Sequence, residues 1–320
     1  ENKAVIFISH KLEEIFLLGD VITVFRNGQK VAYSQLKDVD IAWVIKQMVG
    51  RDVDQEQLYY SDKVSNEVLL EVKNLTGEKF TDISFQLKKG EILGFSGLVG
   101  AGRSELMQAI FGYLPVYSGS VMLDGKSWKL GDMHYSVNNG FIYLPEERKK
   151  QGILPMLSIR ENISIAVLDE LKVGLSISRR KEEELSRKII DTYDVRTPGA
   201  DKEIQFLSGG NQQKVIIGRA MICNPKVLVF DEPTKGIDVG TKAEIYRLMK
   251  ELAEEKGIGI ILISSEMEEV KKCSNRIIAL CDGRKAGEYD GRADKEEILS
   301  AIIGANTERK RSRSYVQREK

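Results

Sequence analysis

Cysteine, histidine and proline are scarce in this 320-residue chain, and its hydrophobic runs are short. The three cysteines form no Cys-x-x-Cys pair, which argues against a zinc site and a disulfide scaffold. Two histidines leave little material for a histidine-built metal centre. The longest apolar runs, Val5–Ile8 and Ile260–Ile263 among them, fall far below the roughly 18 residues of a membrane span. No signal-peptide pattern is present, so a reducing cytosol is the simplest location.

Net charge is also lacking, because 48 basic side chains balance 48 acidic ones. No overall field draws the chain to nucleic acid or lipid, and we expect no nucleic-acid partner. With 42% apolar and 30% charged residues, the composition is that of a globular protein. The length allows roughly two domains.

The chain contains an internal repeat. Residues 5–30 align without a gap with residues 260–285, at an offset of 255, and eight positions are identical. Each copy predicts a strand, an acidic helix, a strand, an Asn-Gly or Asp-Gly turn and a further strand. The identical pairs are Ile6/Ile261, Ile8/Ile263, Ser9/Ser264, Glu13/Glu268, Glu14/Glu269, Ile22/Ile277, Gly28/Gly283 and Lys30/Lys285.

The repeat predicts one whole domain preceded by the end of a sister domain. Residues 1–50 would be the C-terminal remnant of the first domain, and the polar residues 51–67 a short exposed linker. Residues 68–305 would form the second domain, opening with alternating strands. The basic tail 306–320 is expected to be a frayed, solvated end, and contact with an anionic partner is the alternative. We therefore expect an N-terminally truncated copy, whether from a truncated gene or as a fragment.

A glycine-rich segment follows the predicted strand Ile92–Ser96. Its spacing is that of a phosphate loop, G-x-x-x-x-G-K-[ST], with Arg103 in the place of the lysine. Glycines let successive backbone amides face one anion, and the following helix points its positive end there. A glycine turn without function would explain the glycines but not Ser104, which stands where a magnesium ligand is needed. The predicted ATP-binding residues are Gly97, Leu98, Val99, Gly100, Ala101, Gly102, Arg103, Ser104 and Glu105.

Arg103 changes the expected chemistry of this loop. A lysine is a slim point charge, whereas arginine is a wide planar fork that neutralises a phosphate but misplaces it. We expect nucleotide binding with slow hydrolysis.

An acidic pair ends a second predicted strand, Val227–Phe230. Asp231 and Glu232 stand at its carboxyl end, the edge where open α/β sheets bind ligands. Asp231 is predicted to hold the magnesium shell, and Glu232 to orient or deprotonate the attacking water. Alone the pair could merely cap the next helix. At about 130 residues after a phosphate loop, it indicates a nucleotide site.

Residues 207–213 read Leu-Ser-Gly-Gly-Asn-Gln-Gln and open an amphipathic helix, with Ser208 as a natural N-cap. This order of motifs resembles that of ABC-type ATPases, and LSGGNQQ is the form typical of bacterial monosaccharide importers. The resemblance covers residues 68–304, and the repeat carries it back to residue 4. It implies an α/β fold: a P-loop NTPase core with an antiparallel β subdomain and a helical subdomain at about residues 150–206.

The resemblance also implies the roles of individual residues. Ser265 would lie on the switch strand, Gly236 and Asp238 in the D-loop, and Glu146 at the glutamine loop. His10 would be the catalytic switch residue that the first copy keeps. The signature residues would be Leu207, Ser208, Gly209, Gly210, Asn211, Gln212 and Gln213, and the magnesium ligands Ser104, Glu146 and Asp231.

Three departures from the family pattern concern hydrolysis. Arg103 replaces the lysine, Ser265 replaces the switch histidine, and Glu146 stands where a glutamine is usual. No aromatic residue ahead of Gly97 is placed to stack on adenine, since the nearest, Phe80, is out of register. These changes fit a degenerate second site.

The resemblance implies that ATP lies between the phosphate loop of one domain and the signature helix of another. The partners would be a second ABC ATPase domain, membrane permease subunits and an extracytoplasmic sugar-binding protein, with ATP and Mg²⁺ as cofactors. The predicted function is ATP hydrolysis that powers monosaccharide import at the cytoplasmic face of the membrane. Two alternatives stay open: a soluble tandem ATPase acting on ribosomes, and a regulatory domain that binds nucleotide without cleaving it.

Overall fold

The computed structural model describes residues 3–9, 12–26, 28–49, 58–174 and 176–303. The chain divides into two compact units. The first comprises Glu1–Gln57 with Gly236–Glu244, and the second Leu58–Lys235 with Ile245–Lys320. The predicted catalytic residue His10 and the basic tail lie outside the described residues.

The first unit is a small helix and hairpin assembly. Its elements are the helix α1 (Leu12–Leu18), the antiparallel strands β1 (Val21–Arg26) and β2 (Gln29–Gln35), and the helix α2 (Ile41–Val49). Apolar side chains from both helices and both strands meet in one core. The buried side chains of this core are Leu12, Ile22, Val24, Leu36, Val44 and Ile45.

The strand predicted at Val5–Ile8 is not formed, so that prediction was wrong. Residues 3–9 have no regular structure, and Val5, Ile6 and Ile8 are 85%, 91% and 92% exposed. The corresponding strand of the second copy, Ile260–Ile263, is hydrogen-bonded on both edges. Among the described residues of the first unit, only the hairpin β1–β2 is paired. A strand is stabilised by pairing with a neighbouring strand, and in the described part of the first unit neither β1 nor β2 pairs with residues 3–9.

The second unit contains twelve further strands among its described residues. Those of the antiparallel sheet and the small hairpins are β3 (Val68–Gly77), β4 (Ile83–Lys88), β6 (Val116–Leu123), β7 (Lys126–Ser127), β9 (Lys172–Val173) and β10 (Ser176–Ile177). Those of the central sheet are β5 (Ile92–Gly97), β8 (Phe141–Leu144), β11 (Val227–Asp231), β12 (Gly259–Ile263), β13 (Arg276–Cys281) and β14 (Arg284–Asp290).

The helices of this unit connect and cover the strands. They are α3 (Arg103–Phe111), α4 (Met133–Asn138), α5 (Ile159–Ser164), α6 (Leu168–Leu171), α7 (Arg179–Thr192), α8 (Gly209–Ile222), α9 (Val239–Lys256) and α10 (Met267–Cys273), followed by helical backbone over residues 295–303. The helix α9 starts in the range assigned to the first unit and continues in the second.

The central sheet has the order β14-β13-β5-β12-β11-β8. All neighbours are parallel except β14, which pairs antiparallel with β13. Strands β11 and β12 are buried at every residue, as expected for a parallel sheet covered on both faces. The strands predicted from their apolar runs at 92–96, 227–230 and 260–263 are therefore confirmed.

A four-stranded antiparallel sheet, of order β4-β3-β6-β7, accompanies the central sheet. The strands predicted at 68–72 and 83–87 lie in it, which confirms them. Side chains of both sheets share one hydrophobic core, in which Phe85 and Phe95 meet edge to face at 5.2 Å. The predicted α/β architecture with an antiparallel subdomain is confirmed.

Residues 58–67, predicted as part of an exposed linker, contain buried positions. Tyr59 packs on the ring of Tyr246 at 5.5 Å, and Ser61 exchanges hydrogen bonds with the side chain of Asn275. Exposure was therefore wrongly predicted at Tyr59 and Ser61, which are buried. Polar composition misled the prediction because the amide of Asn275 supplies the partners that buried backbone groups require.

The internal repeat recurs in the backbone. The elements α1, β1 and β2 have the bounds of α10, β13 and β14 when shifted by 255 residues. Both hairpins carry a register shift at the same place, between Val24 and Phe25 in one and between Ala279 and Leu280 in the other. The two copies therefore share the bounds of one helix and two strands, while the strand that precedes them forms only in the second copy.

Candidate functional site

The predicted site residues of the second unit gather at one edge of the central sheet. Strands β5, β8, β11 and β12 are parallel, so their carboxyl ends meet at this edge. The phosphate loop follows β5, Glu146 follows β8, Asp231 and Glu232 end β11, and Ser265 follows β12. The topology brings together segments that are separated by more than a hundred residues of sequence.

The phosphate loop turns between β5 and α3 through glycines. Gly100 and Gly102 have φ angles of 82° and 87°, which favour glycine. A side chain at Gly97 would lie 2.5 Å from the carbonyl oxygen of Leu280, and one at Gly102 as close to that of Lys79. The nine-residue helix α3 starts directly after Gly102. Its free amides and positive dipole end suit an anion.

Asp231 is buried, with 2% of its surface exposed. The Tyr143 hydroxyl donates a hydrogen bond to its Oδ2 at 2.5 Å, while its Oδ1 has no hydrogen-bond partner. Burial raises the pKa of Asp231 to about 6, and hydrogen bonds from Tyr143 and Ser104 oppose that shift. A buried carboxylate oxygen left free beside the phosphate loop is suited to a metal ligand.

The carboxylate of Glu232 accepts hydrogen bonds from Ser265, which lies just after β12. The backbone N–H of Ser265 donates to Glu232 Oε1 at 2.7 Å, and the Ser265 hydroxyl donates to Oε2 at 3.2 Å. Burial raises the pKa of Glu232, while Ser265 and the charge of Arg103 lower it. Glu232 has a φ of 48°, a left-handed conformation that is rare outside glycine. Such a backbone is maintained only where the surroundings fix it, as they do here.

Arg103 turns its side chain into the protein. Its Nη1 donates to the carbonyl oxygen of Ser264 at 2.6 Å, and its Nη2 lies 3.8 Å from Glu232 Oε1. Only 8% of the residue is exposed. The sequence predicted that this residue would stand in for a phosphate-binding lysine, and in the structure its guanidinium contacts protein groups.

Glu146 lies at the same sheet edge and forms an ion pair with Lys235, with 2.6 Å between Lys235 Nζ and Glu146 Oε1. Its negative charge contributes to the raised pKa of Asp231 and of Glu232. Glu146 thus acts electrostatically on both acids. Its predicted role as a magnesium ligand stays a prediction.

A magnesium ion fits the residues at this edge. Ser104 and Asp231 supply a hydroxyl and a free carboxylate oxygen, the donors that P-loop proteins offer to a metal that also contacts phosphate oxygens. Across the described ranges, no group of three or more His, Cys, Asp or Glu is placed to hold a metal ion.

The signature segment begins the helix α8. The Ser208 hydroxyl accepts a hydrogen bond from the backbone of Asn211 and caps this helix, as predicted. Gln212 is buried and donates to the backbone carbonyl oxygens of Ile204 and Leu207. It also accepts a hydrogen bond from Arg148 at 3.2 Å. The side chain of Gln212 therefore connects the start of α8 to Arg148, Ile204 and Leu207.

The predicted D-loop residues Gly236 and Asp238 fall in the range assigned to the first unit. Gly236 has a φ of 69°. Asp238 accepts hydrogen bonds from the backbone and the hydroxyl of Thr241 at 3.0 and 2.8 Å, and so caps the start of α9. Their predicted role at the nucleotide is not addressed by these contacts.

Sequence reasoning missed two residues of the site, Tyr143 and Ser264. Tyr143 lies within β8, where an aromatic residue suggests only packing, yet its hydroxyl bridges Gln108 and Asp231. Ser264 acts through its backbone carbonyl, which no residue type reveals. Phe80, the aromatic nearest to the predicted adenine position, is buried in the core against Gly77.

Across the described helices, none is long and apolar enough to cross a bilayer.

The part of the chain that carries this site is similar to known proteins. Residues 80–235, just under half of the chain, match the family model described as ABC transporter. Three solved structures share the fold at 22–24% sequence identity: the ATP-binding cassette MJ0796 in a dimeric post-hydrolysis state with ADP and Pi, the ADP conformation of the cassette MJ1267, and cbiO1 from Clostridium perfringens. In that order, their TM-scores are 0.59, 0.62 and 0.60. The matches cover 71%, 74% and 80% of this chain. They cover 100%, 96% and 100% of the chains in those structures.

Proposed function

We propose that the second unit, whose residues 80–235 match the ABC transporter family model, binds ATP with Mg²⁺ at the loop Gly97–Ser104 and that ATP hydrolysis drives transport. The observation that carries the proposal is the meeting of this loop with the buried, half-satisfied carboxylate of Asp231 at one sheet edge. The loop supplies amides for phosphate oxygens, and Ser104 and Asp231 would hold the metal. When bound, the metal neutralises phosphate charge.

Glu232 is the residue proposed to orient the attacking water. It lies next to Asp231, so a water beside a bound nucleotide would be within reach. Its raised pKa makes it a better proton acceptor than an exposed carboxylate. Ser265 fixes the direction of the carboxylate through two hydrogen bonds.

The transported substrate is proposed to be a monosaccharide. The support is the LSGGNQQ form of the signature segment at residues 207–213, which resembles that of bacterial monosaccharide importers. The chain would then work with permease subunits and a sugar-binding protein at the cytoplasmic face of the membrane. One structural neighbour, cbiO1, is described as part of the transporter complex cbiONQ.

A second ATPase domain is proposed to complete the ATP site. The neighbour MJ0796 is a dimeric cassette. In such an arrangement the amides at Ser208–Gly210 would face a γ-phosphate held by the partner domain, because the start of a helix attracts anions.

Nucleotide binding without turnover is the second candidate function. It is favoured by Arg103, whose guanidinium contacts Glu232 and Ser264 instead of projecting from the loop. ATP turnover by the wild type and by Glu232→Gln separates the two candidates. Hydrolysis requires a clear loss of turnover in the variant, whereas equal and negligible rates support binding alone.

The primary test is MgATP binding, measured by displacement of a fluorescent ATP analogue. We expect Ser104→Ala to weaken binding in magnesium by tenfold or more and to have little effect in EDTA, because the hydroxyl serves the metal. Ser120→Ala on β6 removes an exposed hydroxyl and serves as the matched control. Wild-type protein that is folded and binds no MgATP would refute the proposal.

The transport role needs a separate test. Uptake of labelled ribose, galactose and xylose is compared in the source organism carrying the wild-type or the Ser104→Ala gene. We expect the uptake of one of these sugars to fall. Unchanged uptake of all three would exclude import of these sugars while leaving nucleotide binding intact. Co-sedimentation of the chain with ribosomes would favour the ribosomal alternative.

A further inference from the structure

Arg103 joins three segments that border the proposed nucleotide site. It is the first residue of α3, and its guanidinium bonds the carbonyl oxygen of Ser264 and lies 3.8 Å from Glu232. Ser265 adds two hydrogen bonds to the same carboxylate. The start of α3, the end of β11 and the end of β12 are thereby held by one cluster, which we call the Arg103 cluster: Arg103, Glu232, Ser264 and Ser265.

We propose that Arg103 is a positioning residue, whose charge is committed to Glu232 and Ser264 and not to the phosphates of the nucleotide. This inference rests on the proposed nucleotide site and concerns how that site uses its arginine.

Burial supports this assignment. The side chains of Arg103 and Glu232 are 9% and 10% exposed, so neither charge is well solvated. Removing one member of such a pair leaves the other charge uncompensated, which is costly, whereas the pair itself is neutral. A nucleotide that took the guanidinium would strip Glu232 of its counterion. Retention of the protein contact avoids that cost.

The shape of arginine gives the same conclusion. A guanidinium has donors that point in two directions and can serve a carbonyl oxygen and a carboxylate at once. These are the two groups that it contacts here. A lysine at this position has one terminal ammonium on a slimmer side chain, so it cannot form the same fork.

The two possible roles of Arg103 make opposite predictions for Arg103→Met, which keeps the apolar stem of the side chain in a shorter form and removes its charge. A phosphate ligand would lose tenfold or more in MgATP affinity. A positioning residue would leave the affinity within about threefold of the wild type. The double variant Arg103→Met/Glu232→Gln removes both charges of the pair, so neither is left buried without the other, and it protects the test against failure of the single variant to fold.

The experiment measures the MgATP dissociation constant of the wild type, both single variants and the double variant. We expect the double variant to bind within about threefold of the wild type. We also expect Glu232→Gln to tighten binding, because it frees Arg103 for the nucleotide, and this gain to vanish in the Arg103→Met background. A tenfold loss in the double variant, or an effect of Glu232→Gln that is the same in both backgrounds, would overturn the proposal.

Urea unfolding of the same four proteins, without nucleotide, provides the second measurement. We expect the double variant to unfold less readily than the sum of the single effects implies, with a coupling of at least fivefold in the unfolding constant. Additive effects would show that Arg103 does not hold Glu232. This double-mutant cycle is measured without ATP. A chain that binds no nucleotide would refute the proposed function, and the cycle would still decide the role of Arg103.

Discussion

The buried carboxylate of Asp231 accepts a hydrogen bond at Oδ2, while its Oδ1 has no hydrogen-bond partner. In the folded protein its pKa is about 6, mainly because burial disfavours the charged form, whereas an ordinary aspartate has a pKa near 3.8. The folded state therefore binds more protons than the unfolded state between these two values. The free energy of unfolding falls as the pH rises through this window and is level above it.

We predict that Asp231→Asn stabilises the protein above pH 6, by about 1–3 kcal/mol, since an amide replaces a buried charge. The measurement is urea unfolding at pH 7.5 and at pH 4.5. The gain should shrink at the lower pH, where the wild-type carboxylate carries more of its proton. An equal gain at both pH values would contradict the raised pKa.

The sequence predicted the two acidic residues of the site but not which way the side chains around them point. Asp231 and Glu232 follow a buried strand, and their place at its carboxyl end is fixed by the strand itself. The side chain of Arg103 could extend to solvent or fold inward, and that choice depends on Ser264, which is 161 residues away in the sequence. Tyr143 was missed because its hydroxyl partner comes from another strand.

At the scale of elements, helix starts give a matched comparison. Ser208 caps α8 and Ser178 caps α7, and each hydroxyl accepts from a backbone N–H at 3.4 Å. We predict that Ser208→Ala and Ser178→Ala each cost about 1 kcal/mol of unfolding free energy. Urea unfolding of both variants checks this. A neutral Ser208→Ala would mean that the cap does not stabilise α8.

The two hairpin turns of the repeat give a second matched pair. Gly28 and Gly283 have φ angles of 77° and 72°, so alanine is strained at both. An added Cβ meets nothing within 4 Å at Gly28, whereas at Gly283 it would collide with the carbonyl oxygen of Lys79. We predict a cost of about 1 kcal/mol for Gly28→Ala and about 1–3 kcal/mol more for Gly283→Ala.

The measurement is the unfolding free energy of the unit that contains each glycine. Trp43 lies in the first unit and Trp128 in the second, and the chain has no other tryptophan. Replacing one of them by phenylalanine lets fluorescence follow the other. Equal costs for the two glycine variants would show that the backbone at Gly283 relaxes around the added methyl group.

A helix or strand could be predicted where its own residues show a clear pattern. The apolar runs of β11 and β12 predicted buried strands, and Ser208 predicted the start of α8. Val5–Ile8 has the same apolar signal as β12, yet forms no strand. The difference lies in pairing: β12 has β11 and β5 on its two edges, and the stretch itself carries no information about such neighbours.

At the scale of the whole molecule, the two units differ in the size of their cores. Among the described residues, the core cluster of the first unit contains six buried apolar side chains, and that of the second unit is far larger and spans two sheets. Small cores give marginal stability. We predict that Trp43 fluorescence reports unfolding at a lower urea concentration than Trp128 fluorescence. Coincident transitions would show that the units unfold together.

The shared irregularity of the two hairpins has a consequence for protein engineering. The hairpins β1–β2 and β13–β14 have the same lengths, a glycine with positive φ in each turn and a register shift at the same place. Grafting residues 21–35 onto positions 276–290 would therefore change the side chains of the hairpin while keeping its length, its turn glycine and its pattern of pairing. A chimera of this kind isolates what those side chains contribute, with the geometry of the ribbon held constant.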